Sequence, residues 1–235
     1  ESCHFLKRET TMRTVYGKEV FDSLEEIVDP THVAVIVVDM QNDLVSPDGY
    51  LGKLGHDVSA NRRIIPSLRS LLDRARDKQI PVAFIQYVME GNYASLSPSW
   101  IYHSTRQEPR DNSRRVNLEA CMEGSWGAEI IPELSPQPQD FVVRKHRLSG
   151  FSKTRLDQIL RSNHIQSVIV TGTATGGCVQ DTAVDASTHF DYYTVIAEDC
   201  VTQNDLPGHV QAMAFLKRRF DVTSSDELIG LWSKH

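Results

Sequence analysis

Cysteine is scarce in this 235-residue sequence, and the four that occur, Cys3, Cys121, Cys178 and Cys200, form no CxxC pair and no metal-ligand spacing. That rules out a disulfide framework and leads us to expect a reducing, cytoplasmic setting. Long hydrophobic runs are also missing. No apolar segment approaches the ~18 residues of a membrane-spanning helix, so no membrane partner is expected. The opening ESCHFLKRETTM (1–12) has neither an initiator Met nor the apolar core of a signal peptide, and reads as a processed, truncated or added end in which Met12 could be an internal start. Positive charge is in deficit, with 25 Lys and Arg against 31 Asp and Glu and a net charge of −6. The longest basic cluster, Lys217-Arg218-Arg219, suits a solvated helix face, which argues against a general nucleic-acid binder. Internal repeats, low-complexity segments and interdomain linkers are absent as well.

What remains is an ordinary globular composition, 40% hydrophobic and 24% charged, at a length that fits one large α/β domain. Short apolar runs alternate with helical patterns, which is the signature of βαβ units. Strands are expected at VAVIVV (33–38), VAFIQYV (82–88), FVVRK (141–145), SVIVTG (167–172), YTVIAED (193–199) and FDVTSS (220–225). A helix is expected over 61–78, where Ile64, Ile65, Leu68, Leu71, Leu72 and Ala75 form one stripe. Others fall at 154–162, at or near Cys178, and around 208–218. Between 90 and 133 the pattern dissolves, and so long a connection in a compact domain suits a lid or binding segment. The expected architecture is a three-layer α/β/α fold with a roughly six-stranded, mainly parallel, doubly wound sheet. It would span 31–235 after an N-terminal extension over 1–30.

Right-handed crossovers bring all parallel strands to an end on one sheet edge. Three of these strands finish on reactive side chains: Asp39 after VAVIVV, Lys145 after FVVR, and Cys178 after SVIVTGTATGG. A thiol attacks as thiolate, and its ordinary pKa of ~8.5 has to be lowered for that. The start of a helix and a nearby Lys145 ammonium would favour the anion. Asp39 could take the thiol proton and later deliver it to a leaving amine. Gly176 and Gly177 let backbone approach a ligand, so N–H groups of that turn could hold a tetrahedral oxyanion. On this reading Cys178 is an acidic, accessible thiol that is alkylated faster than Cys3, Cys121 and Cys200.

In VVDMQND (37–43), RKHRLSGF (144–151), TGTATGGCVQDTAVDA (171–186) and AEDC (197–200) the sequence resembles the isochorismatase-like cysteine hydrolases, from about residue 31 to 228. The resemblance implies the α/β/α fold and an Asp39, Lys145, Cys178 triad. It also implies a cis peptide between Thr173 and Ala174, and an oxyanion hole from the N–H groups of Ala174 and Cys178. A homodimer or homotetramer is implied as well. Isochorismate-cleaving members lack the cysteine, so Cys178 favours amide chemistry. Nicotinamidase members carry histidine metal ligands near the second strand. Here no histidine lies between Pro81 and Ser99, so no metal and no other cofactor is expected, and His56 and His103 read as surface or hydrogen-bonding residues.

Within the family, DGYLGKLGHDVS (48–59), the segment from Trp100 to His103, GSWGAEIIPEL (124–134) and RLSGF (147–151) resemble the ureidoacrylate amidohydrolase and N-carbamoyl amidase group. Tyr87 and Leu148 depart from that group, which has an Asn and an aromatic at these places. The expected substrate is a small amide or ureide, hydrolysed with release of ammonia. Gln86, Tyr87, Trp100, Tyr102, Trp126 and Leu148 are the expected pocket. Two other readings stand beside this one: an enol-ether hydrolase using Asp39 as acid, and a small-ligand binding module. The second has weak support, because GTATGG is not a GxGxxG phosphate loop.

Overall fold

The computed structural model describes residues 13–105 and 119–234. An antiparallel hairpin, β1 (Arg13–Val15) and β2 (Lys18–Val20), turns at Tyr16 and Gly17, both with positive φ. Six further strands follow: β3 (Val33–Val38), β4 (Val82–Tyr87), β5 (Phe141–Lys145), β6 (Ser167–Thr173), β7 (Tyr193–Thr202) and β8 (Asp221–Thr223). They form one parallel sheet in the order β5-β4-β3-β6-β7-β8. The chain winds outward through β4 and β5, then returns to the far side of β3 and winds out through β6, β7 and β8. The crevice at the carboxyl ends of β3 and β6 is therefore the switch point, where open α/β sheets bind their ligands.

The unbroken apolar run of β3 follows from burial on both faces. Val33, Val35 and Val37 point into one core with the Ile65–Asp77 and Ser225–Trp232 helices. Ala34, Ile36 and Val38 point into the other, with the Leu156–Ser162, Gln180–Thr188 and Leu206–Lys217 helices. All six are fully buried.

Several expected boundaries shift. The helix foreseen over 61–78 is two pieces, Ser59–Arg63 and Ile65–Asp77, and Pro66 falls in the first turn of the second, where its missing N–H costs no helix bond. β7 runs three residues beyond the expected 199. The irregular stretch after β4 contains a helix, Pro98–Thr105. Ahead of β3, Ile27 and Val28 belong to the core. Trp232, fully buried, donates its indole N–H to the Val28 carbonyl at 2.8 Å. Among the described residues no helix is long and apolar enough to cross a membrane.

One glycine fixes the approach of the two central strands. Gly172, opposite Val38 in the β3–β6 register, has φ +102, and a Cβ there would run into the Val38 carbonyl oxygen. Gly172→Ala is expected to destabilise the fold by about 1–3 kcal/mol, as overpacking does. Gly91→Ala, where a Cβ meets nothing, is expected to stay within about 0.5 kcal/mol. Urea midpoints of the two variants against wild type check this.

Candidate active site

The run of β3 stops because the next residue leaves the sheet. Asp39 has φ +52, a left-handed conformation that Asp tolerates better than most side chains. Its N–H donates to the Ile85 carbonyl at 3.0 Å, and the Gln41 N–H turns back to its own carbonyl at 2.8 Å. The carboxylate is thereby left at the crevice, buried.

The three residues after Met40 brace the loops around it. Gln41 donates to the carbonyls of Tyr87 (2.7 Å) and Ala128 (2.8 Å) and accepts from the Tyr87 N–H (2.8 Å). Asn42 donates to the Trp126 carbonyl (2.8 Å). The Asp43 carboxylate accepts from the N–H groups of Tyr50 (2.9 Å) and Cys121 (2.7 Å). Buried polar groups demand such partners, so this one motif ties together the ends of β3 and β4 and the segments at 50, 121 and 126–128.

Lys145 closes β5, beside Tyr87 in register, and its side chain is fully buried. The ammonium lies 2.8 Å from Asp39 Oδ2 and 3.0 Å from Cys178 Sγ. It also donates to the carbonyls of Arg147 (3.0 Å) and Leu148 (2.8 Å), so its position is over-determined. Burial alone would lower its pKa, but the facing Asp39 and Cys178 outweigh that and raise it. Burial raises the Asp39 carboxyl above its ordinary 3.8, with Lys145 pulling the other way. Asp39 Oδ1 is buried without a hydrogen-bond partner, which leaves it to the adjoining Cys178 thiol.

Cys178 sits in a loose turn, Thr175–Val179, that leads into the Gln180–Thr188 helix. The Thr173–Ala174 peptide before it is cis. Thr182 accepts from the Gly150 N–H (2.9 Å) and donates to the Cys178 carbonyl (2.6 Å), joining the loop after Lys145 to the thiol-bearing turn. The Gly176 N–H donates to Gln203 Oε1 at 2.7 Å on the other side. The expected acidic thiol is not what this environment makes. Burial and the Asp39 charge push the Cys178 pKa up to about 12, and the Lys145 ammonium only partly offsets them. The thiol thus lies beside a carboxylate and an ammonium that are 2.8 Å apart.

A cavity of about 580 Å³ opens over this group. Asp39, Thr173, Ala174 and Cys178 line its base, and the exposed His56 and His103 stand at its mouth. Of the six expected pocket residues, Tyr87, Trp100 and Leu148 line it and Gln86, Tyr102 and Trp126 do not. Strand alternation sends Gln86 away from Tyr87, and its amide donates to the Ala128 carbonyl at 2.6 Å. Trp100, His103 and Ser104 share one face of the Pro98–Thr105 helix at i, i+3 and i+4, which turns Tyr102 outward, 64% exposed. The Trp126 carbonyl accepts from Asn42, and the residue, half exposed, lines a separate surface depression with Pro47 and Pro132. Leu44, Leu51, Asn61, Ala120 and Asn204 were not foreseen as lining residues. Leu44, Leu51 and Asn61 come from helices of four or five residues and Ala120 and Asn204 from irregular segments, all too short for periodicity to announce them.

Tyr87 and Trp100 carry cations against their rings. Lys145 Nζ is 5.5 Å from the Tyr87 centroid, and the Arg147 guanidinium is 5.1 Å from that of Trp100. Such contacts fix the rings as a wall. Among the described residues no group of three or more His, Cys, Asp or Glu could hold a metal ion.

The chain matches the isochorismatase domain model over residues 33–227. It is 34% identical over 191 residues to the ureidoacrylate amidohydrolase RutB of Caulobacter segnis, a match covering 80% of this chain and 79% of that protein. The crystal structure of a cysteine hydrolase from Pseudomonas syringae pv. phaseolicola is similar with a TM-score of 0.73 at 26% identity, covering 88% of this chain and 95% of that one. An N-carbamoylsarcosine amidase from Thermoplasma acidophilum is similar with a TM-score of 0.63 at 27% identity, covering 83% and 97%.

Accessibility, not acidity, distinguishes the Cys178 thiol, because Cys121 and Cys200 are fully buried. Cys3 lies outside the described residues. Limiting iodoacetamide is expected to label Cys178 well before Cys121 and Cys200. The rate is expected to keep rising with pH through the alkaline range, since a thiol near 12 releases its thiolate only there. Peptide mapping across a pH series checks both points; a plateau near neutrality would mean a preformed thiolate.

Proposed function

The chain belongs to the isochorismatase family of hydrolases, and from that premise we propose that it is a cysteine amidohydrolase that cleaves the C–N bond of a small amide or ureide with release of ammonia. The observation that carries this reading is one ammonium, Lys145 Nζ, within 2.8 Å of a buried carboxylate and 3.0 Å of a thiol at the base of a cavity. The names of the similar proteins, a ureidoacrylate amidohydrolase and an N-carbamoylsarcosine amidase, support the substrate class.

The chemistry follows from the electrostatics. A thiol near 12 beside a carboxylate does not ionise at rest, so deprotonation accompanies attack. Cys178 Sγ bonds to the carbonyl carbon as its proton passes to Asp39, and the Lys145 ammonium stabilises charge on sulfur. The carbonyl electron pair moves to oxygen, which the N–H groups of Ala174 and Cys178 hold. Collapse of this intermediate breaks the C–N bond. Asp39 gives its proton to the leaving nitrogen, and ammonia and a thioester remain. Water then attacks the thioester, Asp39 takes a proton from it, and that proton returns to the departing sulfur. Lys145 keeps its proton throughout, because its raised pKa holds it charged.

Asp39→Asn keeps the size of the side chain but accepts no proton, and ammonia release from a panel of primary amides, carbamoyl compounds and ureides is expected to fall about 10²–10⁴-fold. The variant leaves Lys145 buried without its counter-charge, so a stability loss of about 3–5 kcal/mol is expected alongside; circular dichroism at the assay temperature confirms that it is still folded. Mass spectrometry of quenched wild-type turnover is expected to show an acyl adduct on Cys178. If Cys178→Ala retains hydrolysis, the enol-ether reading, with Asp39 as acid, takes the place of this one.

The pH dependence has a definite sign. Asp39 has to be ionised to accept the proton, and its pKa is raised, so the acid limb of kcat/KM is expected above 3.8. The raised pKa values of Lys145 and Cys178 keep both protonated across the neutral range. No alkaline limb from either is therefore expected near neutrality. A pH–rate profile on the best substrate of the panel measures this.

A further inference from the structure

Resting on the amidohydrolase reading, we propose that the acyl side of the substrate carries an apolar tail, so that hydrophobic amides or ureides are turned over in preference to short ones. The polar atoms that the chemistry uses are confined to the base of the cavity, at Asp39, Ala174 and Cys178. Above them one wall is apolar, and His56, Asn61, His103, Ser104 and Asn204 lie elsewhere in the lining. Leu44 and Leu51 come from the two short helices after β3, and Tyr87, Trp100 and Leu148 come from the ends of β4 and β5 and the helix between them.

The wall is built to stay in place. Arg147 lies over the Trp100 ring at 5.1 Å while its own N–H groups donate to the carbonyls of His146 (2.6 Å) and Ser95 (2.8 Å). A ring held this way offers apolar area with little ordering cost on binding. Among the described residues the one buried cation of the site, Lys145, has no capacity left for a substrate carboxylate. Lys145 already meets Asp39, Cys178 and two backbone carbonyls, and its charge is matched by Asp39. A cavity of about 580 Å³ is in the range that buries a drug-sized ligand, far more than a carboxamide group needs.

The test is kcat/KM of the wild-type protein along acetamide, butanamide, hexanamide and phenylacetamide, with the matching monosubstituted ureas, and with succinamate as the charged counterpart of butanamide. Each buried methylene is expected to raise kcat/KM about fourfold, and succinamate is expected to fall below butanamide. Leu51→Ser is expected to lower the hexanamide-to-acetamide ratio about tenfold, with folding checked by circular dichroism. Independently of turnover, the Tm of Cys178→Ser is expected to rise with each longer amide at fixed concentration. Hydrolysis with a flat series, or with succinamate preferred, overturns the tail and leaves the amidohydrolase reading standing. No hydrolysis of any member, with Tm still rising along the series, keeps the apolar site and overturns the reaction. A flat Tm series without hydrolysis overturns both.

Discussion

The ion pair between Lys145 and Asp39 is the constraint around which this molecule is arranged. Two charges are taken out of water at the carboxyl edge of the sheet, at a distance of 2.8 Å. Burying either one alone carries a penalty of several kcal/mol, which mutual attraction offsets only when the remaining hydrogen-bonding capacity is also met. The carbonyls of Arg147 and Leu148 meet it for the ammonium. The carboxylate keeps one oxygen unmet, next to the thiol. In the proposed reaction this oxygen is the acceptor for the thiol proton.

Placing that pair requires the topology. Asp39 and Cys178 follow neighbouring strands, β3 and β6, while Lys145 arrives from β5 at the sheet edge and reaches past the β4 residue Tyr87. The close approach of β3 and β6 depends on Gly172, and the loops that surround the pair depend on the buried amides and carboxylate of Gln41, Asn42 and Asp43. The apolar residues of β3 hold the sheet together, and the polar residues that follow hold the site together.

The ion pair also sets the acidity of the thiol. A lysine beside a cysteine suggests a stabilised thiolate, but Asp39 is as close to the ammonium as the sulfur is, and burial disfavours any additional charge. The ammonium is neutralised before it can ionise the thiol. In the proposed reaction its influence on sulfur comes when the carboxylate takes a proton.

The sequence by itself determined the parallel sheet and the three reactive strand ends. Six apolar residues from Val33 to Val38 have to be buried on both faces, and right-handed crossovers bring the ends of such strands to one edge. Residue types and order were enough for that. Tertiary structure alone decided the rest. The phase of the Pro98–Thr105 helix turned Trp100 inward and Tyr102 outward, and strand alternation separated Tyr87 from Gln86. Distances of about 3 Å between groups more than thirty residues apart fixed the charges, and with them the raised thiol pKa. Electrostatic energies and side-chain directions depend on separation and burial, and neither quantity exists in a chain until its strands are side by side.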